Sequence, residues 1–126
     1  MLADKEVLAT IAVKNLAAAK KCYAGTLGFK VAGAADQPSV VNYASGKSRL
    51  LVYESQFAGT NKATAATWEV GSEVAALAKD LRAKGVTFEH YDMPGATLEG
   101  DVHVMGDMKV AWCKDPDGNI LAFVGS

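Results

Sequence analysis

An internal repeat constrains the fold of this chain more than any other feature of its sequence. Residues 9–15, Ala-Thr-Ile-Ala-Val-Lys-Asn, return 57 positions later as residues 66–72, Ala-Thr-Trp-Glu-Val-Gly-Ser. The register then continues without a gap, so that Gly28 falls on Gly85. Each copy of such a repeat is one supersecondary unit that cannot bury its apolar face alone. The repeat therefore predicts two similar halves packed together, with a shared cavity between them as the natural place for function.

Each half is predicted to contain a strand, a helix and three further strands. In the first half the predicted strands are 7–13, 29–32, 39–44 and 48–54, and Asn15 is a good N-cap for the helix. In the second half, which starts near Thr64, Ser72 is predicted to cap a helix with an apolar stripe. Predicted strands follow at 86–91, 109–114 and 120–124, and residues 92–106 form a longer excursion with several breakers.

The length and composition indicate one globular domain over residues 1–126. Module one is expected at about 6–55, a polar connection at 56–63 and module two at about 64–126. With 50% hydrophobic and 21% charged residues the chain can bury a core. Its 13 basic and 14 acidic residues are scattered, so no nucleic-acid partner is expected.

Membrane association and secretion are not expected either. No apolar run approaches the roughly 18 residues that a membrane helix needs. The N-terminus is charged where a signal peptide would be apolar. Cys22 and Cys113 are isolated, as free thiols in a reducing compartment are. A cytoplasmic location is the expectation.

Three motifs in this order resemble the vicinal oxygen chelate superfamily, which contains glyoxalase I, bleomycin-resistance proteins, fosfomycin-resistance enzymes and extradiol dioxygenases. They are residues 11–23 (Ile-Ala-Val-Lys-Asn-Leu-Ala-Ala-Ala-Lys-Lys-Cys-Tyr), Leu27-Gly28-Phe29 and residues 114–121 (Lys-Asp-Pro-Asp-Gly-Asn-Ile-Leu). The resemblance implies an α+β fold in which two βαβββ modules in tandem curl a mixed sheet around a cup. It also implies a homodimer, since a partner often completes the cup.

The resemblance further implies where a metal would be bound. Catalytic members hold a divalent ion with His, Gln or Glu from the first and fourth strands of each module. The corresponding positions here are all aliphatic: Leu8, Leu51, Ala65 and Ala122. An alkyl group offers neither the nitrogen nor the oxygen that such an ion needs, and the nearby Thr10, Tyr53 and Thr67 are weak or uncommon ligands. The sequence therefore predicts no metal site and no cofactor, and places the chain close to the metal-free branch of the family.

Strand alternation predicts which side chains line the cup. One phase is apolar and should lie under the helices: Ile11, Val13, Leu50, Val52, Trp68, Val70, Leu121 and Phe123. The other phase mixes aliphatic and polar groups, as small-molecule pockets do. From it the candidate ligand-binding residues are Thr10, Arg49, Tyr53, Thr67 and Glu69. An ordinary solvated sheet face is the competing interpretation.

His103 and Trp112 complete the candidate ligand-binding set. His103 lies in a segment, residues 92–108, that can close over the cup mouth, and Trp112 can stack on a planar ligand. His90 and His103 are alternatively general bases or an irregular metal pair, but their spacing matches no standard motif. The sequence itself favours surface or loop-packing histidines and a core aromatic. Cys22 and Cys113 lack a visible base and are expected to be inert.

Three functions from different classes remain open. The first is a metal-independent protein that binds a small-molecule ligand in the cup, of the glyoxalase/bleomycin-resistance type. The second is a metal-dependent lyase or dioxygenase of the glyoxalase type with a displaced site, using His103, Glu69 or Tyr53. The third is a dimeric structural protein whose cavity is filled. Aliphatic side chains at the family's ligand positions favour the first, and no catalytic residue is assigned.

Overall fold

A computed structural model describes residues 1–33 and 39–126 of the chain. The first module contains β1 (Ala9–Val13), α1 (Leu16–Lys20), β2 (Lys30–Val31), β3 (Val40–Ser45) and β4 (Ser48–Glu54). The second contains β5 (Thr64–Glu69), α2 (Val74–Ala83), β6 (Phe88–Glu89), β7 (Thr97–Glu99), β8 (Val102–Met105), β9 (Met108–Lys114) and β10 (Ile120–Gly125). The fold is α+β, with two modules in tandem.

The two sheets share one topology. The first has the order β1-β4-β3-β2, with β1 and β4 parallel and the other pairs antiparallel. The second has the order β5-β10-β9-β8-β7, with β5 and β10 parallel and β6 paired to β9. Strands β1 and β5 lie beside each other at the junction of the sheets. The sequence repeat is thus a structural repeat, and β7 and β8 are an added hairpin.

A single apolar core lies between the helices and one face of both sheets. All eight side chains predicted for this face belong to the core or pack against it, with Trp68 and Val70 at its margin. Trp68 from the second module packs on Phe29 from the first, with ring centroids 5.5 Å apart, and donates its indole N–H to Ser45 Oγ at 3.0 Å. The core therefore belongs to both modules together.

The turn between β9 and β10 also joins the modules. Asp115 is buried and accepts the Tyr23 hydroxyl at 2.8 Å and the Asn119 side-chain amide at 2.8 Å. That amide also donates to the Ala12 carbonyl at 2.7 Å, and Asp117 accepts the Lys14 backbone N–H at 3.0 Å. The Asp-Pro-Asp-Gly-Asn motif is consequently a polar clasp on β1 of the other module and on Tyr23, which lies in the π-helical segment Lys21–Thr26 that follows α1.

The helix starts differ from each other although their sequences repeat. Asn15 caps α1 as predicted and accepts the Ala18 backbone N–H at 3.0 Å. The predicted cap at Ser72 is wrong, because Gly71–Glu73 forms a 3₁₀ helix and α2 begins at Val74 without a side-chain cap. Gly71 has a φ of +59°, so the chain turns sharply just after β5 and Ser72 lies inside the turn.

Residues 92–106 are more regular than the predicted excursion. They contain the β7–β8 hairpin, which turns at Gly100 and pairs along the outer part of β9. The predicted strand 86–91 is shorter, at Phe88–Glu89, because β8 takes over the pairing with the remaining length of β9. Among the described residues, neither helix has the length and apolar character needed to cross a membrane.

Candidate functional site

The sheet face opposite the helices, here called the cup face, has a matching row of side chains in each module. In the first module Thr10 of β1 lies beside Leu51 of β4, and Leu51 lies opposite Asn42 of β3. Side chains that pair across strands point to the same face. Thr10 is exposed, Leu51 is half-buried, and the Thr10 hydroxyl donates to the Leu8 carbonyl at 3.2 Å.

The second module has an equivalent row, in which Thr67 lies one repeat length after Thr10. Thr67 of β5 lies beside Ala122 of β10, and Ala122 lies opposite Trp112 of β9. Thr67 is exposed and Ala122 is buried. Trp112 is half-buried and donates its indole N–H to Thr64 Oγ1 at 3.3 Å. The two rows are therefore equivalent, with Thr, an aliphatic side chain and a larger planar side chain in each.

The four positions at which the sequence resemblance places metal ligands do not fit a metal ion. Leu51 and Ala122 lie in the rows with no donor atom, and the first-strand residues that pair with them are Thr10 and Thr67 rather than Leu8 and Ala65. Leu8 lies one residue before β1, and Ala65 sits at an irregularity in the β5–β10 pairing. Within residues 1–33 and 39–126, no three His, Cys, Asp or Glu side chains are grouped as metal ligands.

The remaining polar candidates on the strands lie near strand ends, away from the two rows. Tyr53 pairs with Ala12 and is exposed, and Arg49 is exposed opposite Ala44 at the end of β4. Glu69 is exposed beside Val124 at the end of β5. These three side chains lie at or near strand ends, whereas Thr10 and Thr67 occupy the rows themselves.

A small cleft opens where the modules meet. It has a volume of about 260 Å³ and lies between β1, the 57–65 segment and the start of β10. Its lining includes Thr10, Thr60, Asn61 and Thr64 among apolar residues. Asn119 lines it too, and polar groups outweigh apolar ones in the lining, so the cleft is a polar groove and does not by itself identify a ligand site.

His103 is the most unusual side chain of the cup face. It is not a surface or loop histidine, because it lies in β8 and is only 1% exposed. It pairs with Val110, two residues from Trp112 on the same face of β9. The Trp112 ring centroid lies 4.9 Å from that of His103, and the Tyr91 centroid lies 6.2 Å away. Tyr91, His103 and Trp112 form what we call the aromatic cluster.

The hydrogen bonds of His103 define its tautomer. The Tyr91 backbone N–H, which can only donate, lies 2.9 Å from His103 Nε2. Nε2 is therefore the unprotonated acceptor, and the neutral ring carries its hydrogen on Nδ1. Nδ1 is buried and has no hydrogen-bond partner among the described residues. His103 can consequently act towards a ligand as a donor, and its basic nitrogen is already used.

His90 lies outside the cluster in a different role. Its Nε2 lies 2.8 Å from Asp101 Oδ1, and Asp101 Oδ2 lies 3.4 Å from the Arg82 guanidinium. The His90 and His103 ring centroids are 6.3 Å apart, so the fold brings together two histidines whose spacing in the sequence matches no motif. The two Nε2 atoms nevertheless have separate partners, so no shared ligand position follows from the proximity of the rings.

Neither thiol has the properties of a nucleophile. Cys113 lies next to Trp112 but faces the core, and its burial, helped by nearby acidic groups, raises its pKa to about 12. Cys22 is half-buried on the helical side, where burial and the Asp115 charge raise its pKa to about 11. The thiolate is the reactive form, so both thiols are unreactive near neutral pH.

Two residues of the site were not singled out from the sequence. Asn42 alternates with the buried Val41 and Tyr43, so its place on the cup face follows from the same phase rule applied to β3. Tyr91 has no comparable signal, because it follows β6 and meets the cluster only through the β8–β9 pairing. Tyr43, by contrast, is a core residue stacked on Tyr23 at 6.1 Å.

The fold and the paired rows define a two-module α+β protein with an equivalent sheet face in each module. A model of the Glyoxalase/Bleomycin resistance protein/Dioxygenase superfamily matches residues 7–123. The chain belongs to this superfamily. No curated protein matches it significantly.

Solved structures with the same fold carry several different names. A glyoxalase/bleomycin resistance protein/dioxygenase from Alicyclobacillus acidocaldarius is 18% identical, with 97% of this chain and 91% of that chain covered and a TM-score of 0.70. A fosfomycin resistance protein from Listeria monocytogenes is 12% identical, with coverages of 100% and 93% and a TM-score of 0.70. A lactoylglutathione lyase from Agrobacterium tumefaciens is 16% identical, with coverages of 98% and 94% and a TM-score of 0.71. At these identities the likeness concerns the fold alone.

Proposed function

We propose that this protein binds a small molecule on its cup face without using a metal ion. The observation that carries the proposal is the composition of the two rows, where Thr10, Leu51, Thr67 and Ala122 stand at the strands from which relatives present metal ligands. Hydroxyl and alkyl groups can contact and orient an organic ligand, but they cannot coordinate a divalent ion as imidazole and carboxylate groups do.

The geometry of His103 supports binding over the catalytic alternative. A general base needs a free basic nitrogen within reach of the substrate, and Nε2 of His103 accepts the Tyr91 backbone N–H. Glu69 and Tyr53, the other residues of that alternative, are exposed near strand ends, and no partner side chain orients either of them among the described residues. A homodimer belongs to the proposal, because exposed apolar side chains such as Leu8 and Tyr53 flank the cup and a second copy would cover them.

Ligand-induced stabilisation tests the proposal. Aromatic acids, short α-keto compounds and natural-product antibiotics are screened by thermal shift, with and without EDTA. A binder at about 100 times its Kd should stabilise the folded state by ~2.7 kcal/mol. The stabilisation should persist in EDTA. It should be lost in Thr67→Trp, which fills the cup face, and retained in Ala76→Trp, which alters an exposed position on α2.

Three results would count against the proposed function. Stoichiometric metal that survives dialysis and is required for ligand binding would contradict the metal-independent proposal. Stabilisation that is insensitive to Thr67→Trp would place the ligand elsewhere. If no compound of the panel stabilises the protein, a filled cavity becomes the better explanation.

A further inference from the structure

The aromatic cluster contains a hydrogen-bond donor that the described protein leaves without an acceptor. A buried N–H without a partner is costly, and native structures contain few of them. His103 cannot remove this cost by moving its hydrogen to Nε2, because the Tyr91 backbone N–H occupies that nitrogen. The ring is thus held as a donor with one N–H that has no partner among the described residues.

We propose that His103 Nδ1–H is the anchor for the carbonyl oxygen of a planar, aromatic ligand that packs against Tyr91 and Trp112. This inference rests on the proposed function and specifies the ligand class that the cup accepts. The Tyr91 and Trp112 rings meet edge to face, with centroids 5.2 Å apart, and both border His103. Aromatic rings arranged in this way offer apolar area and preferred stacking directions to a flat ligand.

Tyr91 is the part of the cluster that makes room for the ligand. Its side chain is 38% exposed, whereas His103 is 1% exposed and Trp112 is half-buried and tied to Thr64. The Tyr91 backbone is held by its hydrogen bond to His103, and the proposal therefore requires a rotation of the Tyr91 side chain alone. The ligand's ring then replaces the contacts of the displaced phenol ring.

The charges around the cluster favour a neutral acceptor over a carboxylate. The cations nearby are already paired, Lys114 with Glu89 at 3.3 Å and Arg82 with Asp101 at 3.4 Å. His103 itself is neutral in the tautomer that its partner imposes. A buried carboxylate would therefore lack a countercharge and lie near two carboxylates, which is unfavourable. An amide or ketone oxygen needs only the single donor that Nδ1–H provides.

Three naphthyl compounds test this inference on the full-length protein. 2-Naphthamide carries a neutral amide carbonyl, 2-naphthoate carries a carboxylate, and 2-methylnaphthalene carries no hydrogen-bond acceptor. Their Kd values are measured for the wild type, for His103→Phe, which keeps a ring but removes the donor, and for His90→Phe as the matched control 6.3 Å away. The His103→Phe substitution should raise the Kd of 2-naphthamide about 5- to 10-fold more than it raises the Kd of 2-methylnaphthalene. His90→Phe should leave that ratio unchanged, and 2-naphthoate should bind more weakly than 2-naphthamide.

A spectroscopic measurement on the wild type keeps the test independent of how well His103→Phe folds. Long-range ¹H–¹⁵N correlation spectra should show His103 protonated at Nδ1, and 2-naphthamide should shift that resonance. An Nε2–H tautomer, or an unmoved Nδ1–H at saturation, overturns the inference.

The outcomes separate this inference from the proposed function. If the naphthyl compounds bind and the ratio does not depend on His103, the anchor is wrong while metal-free binding on the cup face stands. If all three bind more weakly than about 1 mM, the ligand class is wrong. The broader thermal-shift panel then decides the proposed function by itself.

Discussion

At the residue scale, the site differs from the core mainly in what its polar groups contact. Asp115 is buried with its oxygens satisfied by Tyr23, Asn119 and the Asp117 backbone N–H. His103 is equally buried but satisfied at only one nitrogen. The first pattern stabilises the fold, and the second leaves a buried donor without a partner among the described residues.

Burial of Cys113 predicts how stability depends on pH. Its pKa is about 12 in the folded protein against an ordinary value of 9.0, so the folded state keeps the thiol proton longer than the unfolded state does. The resulting stability is fully present below pH 9 and is lost as the pH rises towards 12. Burial raises the pKa of Tyr23 in the same direction.

Urea unfolding at pH 8, 9.5 and 10.5 checks this prediction. The free energy of unfolding should fall as the pH rises, and Cys113→Ala should show a shallower fall than the wild type. A disulfide reagent at pH 8 should modify Cys113 far more slowly in the folded than in the urea-unfolded chain. A flat stability profile, or rapid modification of folded Cys113, would contradict the assignment.

The cup-face residues show how much of the candidate site could be predicted from the sequence alone. Thr10 and Thr67 were found because strand alternation and the repeat fix their face and their equivalence. The burial of His103 was not predictable, since it depends on three segments, β6, β8 and β9, that meet only in the folded sheet. Its tautomer depends on the backbone of Tyr91, which carries no sequence signal at all.

At the element scale, the repeat predicts two helix starts, and the structure gives only one of them a side-chain cap. The strands β4 and β9 were predicted within a residue because their alternation is long and bounded by turn residues. The Ser72 cap was mispredicted because its residue type fits a cap while Gly71 bends the backbone before it. Local composition fixes the existence of an element better than its first residue.

The caps give a matched pair of substitutions. Asn15→Ala should cost ~1 kcal/mol of stability, because the Ala18 backbone N–H loses its acceptor. Ser72→Ala should change stability by less than ~0.5 kcal/mol, since the Ser72 side chain is exposed and caps nothing. Chemical denaturation of both variants measures the difference. Equal costs at the two positions would show that Ser72 caps α2 after all.

At the scale of the whole molecule, shared packing and hydrogen bonds join the two modules. The core cluster contains residues of both halves, and the clasp of residues 115–119 crosses from the second half to Ala12, Lys14 and Tyr23 of the first. A cup that holds a ligand between two modules needs this rigidity, because a ligand that contacts both rows is sensitive to their relative position.

The clasp can be tested through its one tyrosine hydroxyl. Tyr23→Phe removes the hydrogen bond to the buried Asp115 carboxylate and should cost ~1.5 to 3 kcal/mol, the range for hydrogen bonds to charged groups. Tyr43→Phe is the matched control, because Tyr43 is equally buried in the same ring stack but its hydroxyl has no partner among the hydrogen bonds of the described residues. It should cost less than ~0.5 kcal/mol.

Urea titrations followed by far-ultraviolet circular dichroism and by tryptophan fluorescence should give coincident transitions for both variants. If Tyr23→Phe instead separates the two probes, the clasp is what couples the modules; if it costs no more than Tyr43→Phe, the core alone holds them together.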